Sequence, residues 1–315
     1  MSNRIPNFFL IGAMKAGTTS LYEGLRRHPD IFFSSEKEPF YFVWSDGEAA
    51  SHFRVPRGSK MTGADHWMVI RSEAQYRALF AGARGQCILG DASTFYLPHP
   101  RAAERIRQAS ADARIVAVLR DPAERAYSAF TFQRSLGLEP RESFRQALQD
   151  ERAGLRDDWL YGWRYLYCGR FGEQLEHYVK EFGEDRVMVL EFGELKRDLA
   201  GALRRIFIFL GLDPHEAPPW TTTSNRTLLP QSPVLRQAKF LLSRPNLLKD
   251  GVKTLLPLRA RRRLKQQLFA AIDRHSQPPR PMDPEDRAFL IDHFRADREL
   301  LASRLGWDLS GWAQV

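Results

Sequence analysis

Apolar residues gather in four short, nearly unbroken runs, each closed by a turn signal: NFFLIG (7–12), QCILGD (86–91), RIVAVLRD (114–121) and RVMVLEF (186–192). A strand with one wet face alternates polar and apolar residues, whereas a strand covered on both faces does not. The four runs therefore predict a parallel sheet with helices on both sides. Between them the apolar spacing changes to three and four. Thr18 to Arg27 sets Leu21 and Leu25 on one face, and Pro122 to Leu136 opens with Asp121 as cap and proline at the first helical position. Phe171 to Phe182 and Leu195 to Leu210 are amphipathic, the second ending at Gly211. Strand and helix alternate, which predicts an α/β fold built on a doubly wound parallel sheet flanked by helices.

Two stretches break the alternation. Residues 45–70 mix glycine, histidine and charge without period and read as a surface excursion. Residues 213–235 are turn chemistry, followed by a basic helical segment, LRARRRLKQQL (258–268), and a proline-rich loop, HSQPPRPMDP (275–284). The tail is helical, with Phe289, Phe294 and Leu301 at helix-like spacing. There is no internal repeat and no low-complexity linker, so residues 1–315 are expected to form one domain with insertions.

Composition narrows the chemistry. A 43% hydrophobic content supports a sizeable core, and no apolar run reaches the roughly 20 residues that a membrane-spanning helix needs. The start, MSNRIPNFFLIGAMK, carries a glycine turn and a lysine where a signal peptide would stay apolar, and predicts a cytoplasmic protein. Cys87 and Cys168 have no cysteine nearby, which argues against zinc and redox motifs and favours reduced core thiols over a lone disulfide. The net charge of +9, carried mostly by arginine, suits an anionic partner and bidentate contacts to phosphate or sulfate. No DNA- or RNA-binding motif accompanies it, so nucleic acid is not expected.

The stretch FFLIGAMKAGTTSL (8–21) reads as strand, glycine turn and helix start. Gly12 and Gly17 keep the glycine spacing of a nucleotidase phosphate loop, but threonine stands at position 18 where that loop places lysine, and the lysine is Lys15. Backbone N–H groups entering a helix still point at an anion, and Lys15 can reach it from within the turn. A second candidate anion grip lies in VLRDPAERAYSAF (118–130), with Arg120 at a strand end and Ser128 two turns into the next helix.

GAMKAGTTSLYEGLRRHPDI closely resembles the phosphosulfate loop of sulfotransferases that use 3′-phosphoadenosine 5′-phosphosulfate (PAPS). GDASTFYLPHP (90–100), residues 178–212 and the tail are also similar to that family, nearer its bacterial and heparan-type members than the cytosolic phenol enzymes. Residues 45–85 and 220–275 match least. The resemblance implies a P-loop-type fold and a donor site in which Lys15, Ala16, Gly17, Thr18, Thr19 and Ser20 hold the 5′-phosphosulfate. Lys15 would also stabilise the leaving phosphate. Arg120 and Ser128 would hold the 3′-phosphate. The product would be adenosine 3′,5′-bisphosphate, and no metal is required.

Transfer to a hydroxyl also needs a base. In FFSSEKEPFYF (32–42) the family's pattern puts that role on Glu38, with Phe40 standing where many relatives have histidine. Glu36 and Asp91 are the other candidates, and a histidine base would be His66 or His99. The expected activity is in-line sulfuryl transfer to a hydroxyl or amine of a carbohydrate, lipid or small natural product. Two alternatives remain. One is a P-loop kinase, for which Asp91 or Asp121 would hold magnesium and which position 18 argues against. The other is a non-catalytic nucleotide-binding protein. Arg274, His275 and Arg280 fall near the family's last donor-binding loop, Asn225 and Arg226 near the cleft, and Tyr161, Trp163, Tyr165 and Tyr167 alternate like a strand face, an acceptor platform or core.

Overall fold

The computed structural model describes residues 5–45, 53–55, 59–60, 70, 72–215, 228–230, 232, 234–235, 238–239 and 267–314. Five parallel strands form the central sheet: β1 (Phe8–Gly12), β2 (Ile31–Phe33), β3 (Ile88–Ala92), β4 (Arg114–Leu119) and β5 (Val187–Glu191), in the order β2-β3-β1-β4-β5. Every residue of β1 and β3 is buried, and in β4 all but Arg114, which is why these runs carry no alternation. The chain fills one side of β1 with β2 and β3, then crosses to β4 on the other. β1 is thus the switch point, and loops leaving its carboxyl end diverge to open a crevice.

The helices are α1 (Thr18–Leu25), α2 (Tyr41–Trp44), α3 (Glu73–Ala78), α4 (Ala102–Ala109), α5 (Pro122–Ser135), α6 (Phe144–Arg152), α7 (Phe171–Phe182), α8 (Phe192–Arg197), α9 (Leu199–Leu210), α10 (Pro284–His293) and α11 (Arg295–Leu305). α1 packs with α9, and α7 with α4 and α11, as two groups against the sheet. Their core is centred on Phe8, Phe9, Leu10 and Ile11; burying each phenylalanine is worth roughly 1.5–3 kcal/mol. A second cluster joins α5, α6 and α10 through Phe130, Phe144, Tyr165, Leu290 and Phe294, and Met14 touches both clusters. The loop after β1 therefore lies where the two cores meet.

The α/β expectation is borne out, with differences in detail. The β2 strand has only three residues, too few to show a period. The helix read over 195–210 is two helices, because Asp198 accepts from Gly201 N at 2.8 Å and caps a new start. The tail breaks likewise at Phe294. The Tyr161–Tyr167 stretch is two 3-10 turns (Tyr161–Trp163, Tyr167–Gly169), with Tyr161, Trp163 and Tyr165 buried, so core packing explains their alternation. Residues 45–70 are not wholly a surface excursion: Ile70 is buried, and Phe53 packs on Trp44 and Tyr161. Both cysteines are free, but Cys87 is exposed rather than in the core. Among the described residues no helix is long and apolar enough to cross a membrane. His66, Asn225, Arg226 and most of the basic segment at 258–268 lie outside the described residues.

Candidate active site

The turn after β1 is compressed. Lys15 and Gly17 have φ of 70° and 85°, and a Cβ on Gly17 would stand 2.9 Å from Phe192 Cε2. Glycine is required at position 17 for both reasons. Ala13 N donates to Val118 O at 2.7 Å and Ala16 N to Ala13 O at 3.2 Å, which pins the turn to β4. α1 begins at once, and no side chain caps its first-turn N–H groups. Thr18 is buried beneath the turn, Thr19 is exposed and Ser20 half-buried.

The Lys15 ammonium lies 4.0 Å from the Phe132 ring centroid and makes no ion pair among the described residues. Burial, then the charge of Arg120, pushes its pKa down to about 8. An incoming anion would relieve both effects. Arg120 follows β4, and its Nη1 donates to Lys15 O at 3.3 Å while Nη2 pairs with Glu124 Oε2 at 3.1 Å. Its guanidinium also lies over Phe192, 5.1 Å from the ring centroid. Asp121 caps α5, accepting from Ala123 N at 2.8 Å. Ser128 is half-buried and four residues beyond Glu124, so the two share a face of α5. The structure thus brings the Lys15–Ser20 loop and Arg120 together at one edge of the sheet.

Glu38 comes to the same edge from the β2 side. It is one of three non-glycine residues with positive φ, together with Lys15 and Phe40, among the described residues. Its N–H donates to Ala92 O at 3.1 Å. One carboxylate oxygen accepts from Thr94 N at 2.8 Å and Thr94 Oγ1 at 3.1 Å, and the other lies 3.3 Å from Lys37 Nζ. Lys37 Nζ also donates to Thr19 Oγ1 at 3.3 Å, joining the Glu38 segment to the phosphate loop. Sequence reasoning passed over Lys37 and Thr94. Their signals were adjacency to Glu38 and a place in GDASTFYLPHP.

Beneath them Asp91 is fully buried and accepts from Tyr76 Oη (2.6 Å), Tyr96 Oη (2.8 Å) and Ser93 Oγ (2.7 Å). Burial pushes its carboxyl up to about 6. Ser93 Oγ in turn accepts from Phe40 N at 3.2 Å, and the Phe40 ring stacks on Phe95 at 4.3 Å. Asp91 is therefore occupied in holding the Glu38–Phe40 bend and is not exposed as a base or metal ligand; Asp121 is likewise taken up as a helix cap. Glu36 is half-buried, with its own carbonyl accepting from Ser34 Oγ. His99 is buried against Tyr161, and its Nδ1 accepts from Arg101 N. From Phe95 the aromatic wall continues through Tyr161 to Tyr167. Arg274 and His275 are exposed, while Arg280 contributes its carbonyl, which accepts from Tyr127 Oη at 2.7 Å beside Ser128.

A family model described as the sulfotransferase family matches residues 6–216, which span the whole sheet, the turn after β1, Glu38 and Arg120. The chain belongs to the sulfotransferase family. A solved sulfotransferase from Alicyclobacillus acidocaldarius is 28% identical and superposes with a TM-score of 0.73, covering 99% of this chain and 100% of that one. Mouse (Mus musculus) heparan sulfate glucosamine 3-O-sulfotransferase 3B1 is 28% identical over 215 residues, 67% of this chain and 47% of the relative. The membrane-associated sulfotransferase kil1 of Dictyostelium discoideum is 34% identical over 128 residues, 41% of this chain and 23% of the relative. The chain spans about half the length of the heparan 3-O-sulfotransferase it matches, and less of kil1. The resemblance drawn from its phosphate loop to the PAPS-dependent sulfotransferases, bacterial and heparan-type members included, is borne out.

Proposed function

We propose that the chain transfers a sulfuryl group from PAPS to a hydroxyl, or amine, of a carbohydrate, lipid or small natural product. The observation that carries this reading is the Arg120 guanidinium, 3.3 Å from the Lys15 carbonyl, at the edge of a helix-start anion loop. Two cations and an uncapped helix start at one sheet edge suit a ligand with two separate anionic groups. A triphosphate–magnesium complex would want lysine at position 18 and an open carboxylate at a strand end, and Asp91 and Asp121 are both engaged elsewhere.

The residues fit the donor. Lys15, with its depressed pKa and no carboxylate partner among the described residues, would take the 5′-phosphosulfate with the N–H groups and hydroxyls of Thr18, Thr19 and Ser20. Arg120 and Ser128 would take the 3′-phosphate. The donor, when bound, supplies the sulfuryl group and a phosphate leaving group. Lys15 offsets the charge that develops on that phosphate, an electrostatic contribution fixed before the reaction begins. Glu38 removes the acceptor's proton. Thr94 and Lys37 fix the carboxylate, and Lys37, which also touches Thr19, sets its distance from the loop. Tyr167, the half-buried end of the aromatic run that starts at buried Phe40, would offer an apolar edge to the acceptor's body. The heparan-type relatives support a sugar hydroxyl as acceptor. We also read the chain as one domain acting in the cytoplasm, where its two free cysteines stay reduced.

The test is transfer itself. The protein is incubated with PAPS and acceptor extracts, and products are screened by mass spectrometry for an added sulfonate with release of adenosine 3′,5′-bisphosphate. Sulfonate appearing with the intact protein and absent with Glu38→Gln supports the reading. Phosphoryl transfer from ATP with none from PAPS overturns it.

A further inference from the structure

Arg120 belongs to an alternating cluster of charges that reaches from the phosphate loop to α10. Glu124 offers one oxygen to Arg120 at 3.1 Å. Its other oxygen is 3.4 Å from Arg287 Nη1, while Arg287 Nη2 donates to Asp121 Oδ2 at 2.8 Å and Nε to Gln314 O at 2.6 Å. Arg287 lies on α10, 163 positions after Glu124 and beyond residue 216, where the family match stops. The Arg287 and Asp121 side chains are only 16% and 11% exposed, so solvent screens this pair weakly.

The arrangement poses an electrostatic problem that Arg287 answers. Two carboxylates beside Arg120 would cancel the charge that a phosphate needs and repel the phosphate directly. With Arg287 the cluster holds two positive and two negative groups; without it the carboxylates outnumber the cation. A fork that takes one oxygen from each carboxylate also fixes where Glu124 points, and hence where Glu124 holds Arg120. We infer that Arg287 is a positioning residue for the 3′-phosphate grip, acting through Glu124 and Asp121 to keep Arg120 aimed and electrostatically available. This rests on the donor reading of Arg120 given above.

The helix does not depend on Arg287 for its place. Arg145 on α6 pairs with Asp283 (3.2 Å) and Asp286 (2.7 Å). Leu290 and Phe294 are buried in the second core, and Gly169 leaves room for the Phe294 ring, which a Cβ there would meet at 2.5 Å. Removing the Arg287 side chain should therefore change the charge cluster with α10 still docked.

Calorimetric titration with adenosine 3′,5′-bisphosphate and with adenosine 5′-monophosphate, which lacks only the 3′-phosphate, isolates the effect. Arg287→Ala should weaken bisphosphate binding about tenfold or more and monophosphate binding less than about twofold. Arg287→Lys keeps the charge but reaches one carboxylate at a time, and should fall between Ala and the intact protein. Equal weakening of both ligands would mark Arg287 as merely structural and overturn the inference. So would an undiminished preference for the bisphosphate. If the Ala variant does not fold, the Lys variant decides: a reduced preference supports the inference and an intact one overturns it. If the unsubstituted protein shows no preference for the bisphosphate, the donor reading fails and this inference with it. A preference that survives in the variants removes Arg287 alone.

Discussion

The phosphate loop takes its backbone path mainly from neighbours along the chain, with Val118 and Phe192 holding it in place, whereas the Glu38 bend takes its shape from residues 53 to 56 positions away. In the loop a strand end, a glycine at φ 85° and an immediate helix start do most of the work within ten residues. In the bend Glu38 and Phe40 sit in the left-handed region without being glycine, a conformation that costs about 1–2 kcal/mol per residue. The bonds from Ala92, Ser93 and Thr94, anchored by buried Asp91, offset that cost. The lesson is that the backbone of the loop is largely a local product, while placement of the base is a tertiary property and can be lost separately.

Substitutions on the two sides should come apart accordingly. The largest effect is expected from Glu38→Gln, which keeps the Thr94 contact but cannot accept the acceptor's proton. Turnover should drop by about 10²–10⁴-fold while bisphosphate affinity stays within about twofold; single-turnover rates beside calorimetry check this, and parallel losses would erase the distinction. Asp91→Ala strips three buried hydroxyls of their acceptor and should cost about 3–5 kcal/mol in urea unfolding. A change under about 1 kcal/mol would mean that Asp91 does not hold the bend.

The loop side has its own signature in pH. The Lys15 pKa is depressed to about 8, so the free lysine is charged below pH 8 and neutral above it. Bisphosphate affinity should be flat between about pH 7, above the second ionisation of the ligand's phosphates, and pH 8, and fall by up to about tenfold per unit above it, because binding must then take up a proton. Arg at that position stays charged, so Lys15→Arg should abolish the fall. The smallest effect belongs to Thr94→Val. It removes the 3.1 Å hydroxyl bond to Glu38 but leaves the backbone bond, and should lower kcat about threefold with donor affinity unchanged.

The same contrast explains what could be read from the chain. Four of the five strands were visible as apolar runs, three of them because their residues are buried on both faces and Val187–Glu191 although it is mostly half-buried, and α5 because Asp121 and Pro122 mark its start. Lys15 and Arg120 stood out as displaced or strand-end cations, and the structure brings them together. Lys37, Thr94 and Arg287 did not, because their significance lies in contacts across the fold: Lys37 bonds to Thr19, 18 positions away, and nothing near residue 287 hints at Glu124. The breaks at Asp198 and Phe294 were hidden because apolar spacing continues through both.

The central claim is a single pocket with cations for both anionic ends of an adenosine carrier. Its most direct test is calorimetric titration of adenosine 3′,5′-bisphosphate against ATP–magnesium, on the unsubstituted protein and on Arg120→Ala. The account predicts metal-independent binding of the bisphosphate in preference to ATP–magnesium, with that preference lost in Arg120→Ala. Preference for ATP–magnesium, or bisphosphate binding undiminished in Arg120→Ala, would contradict it.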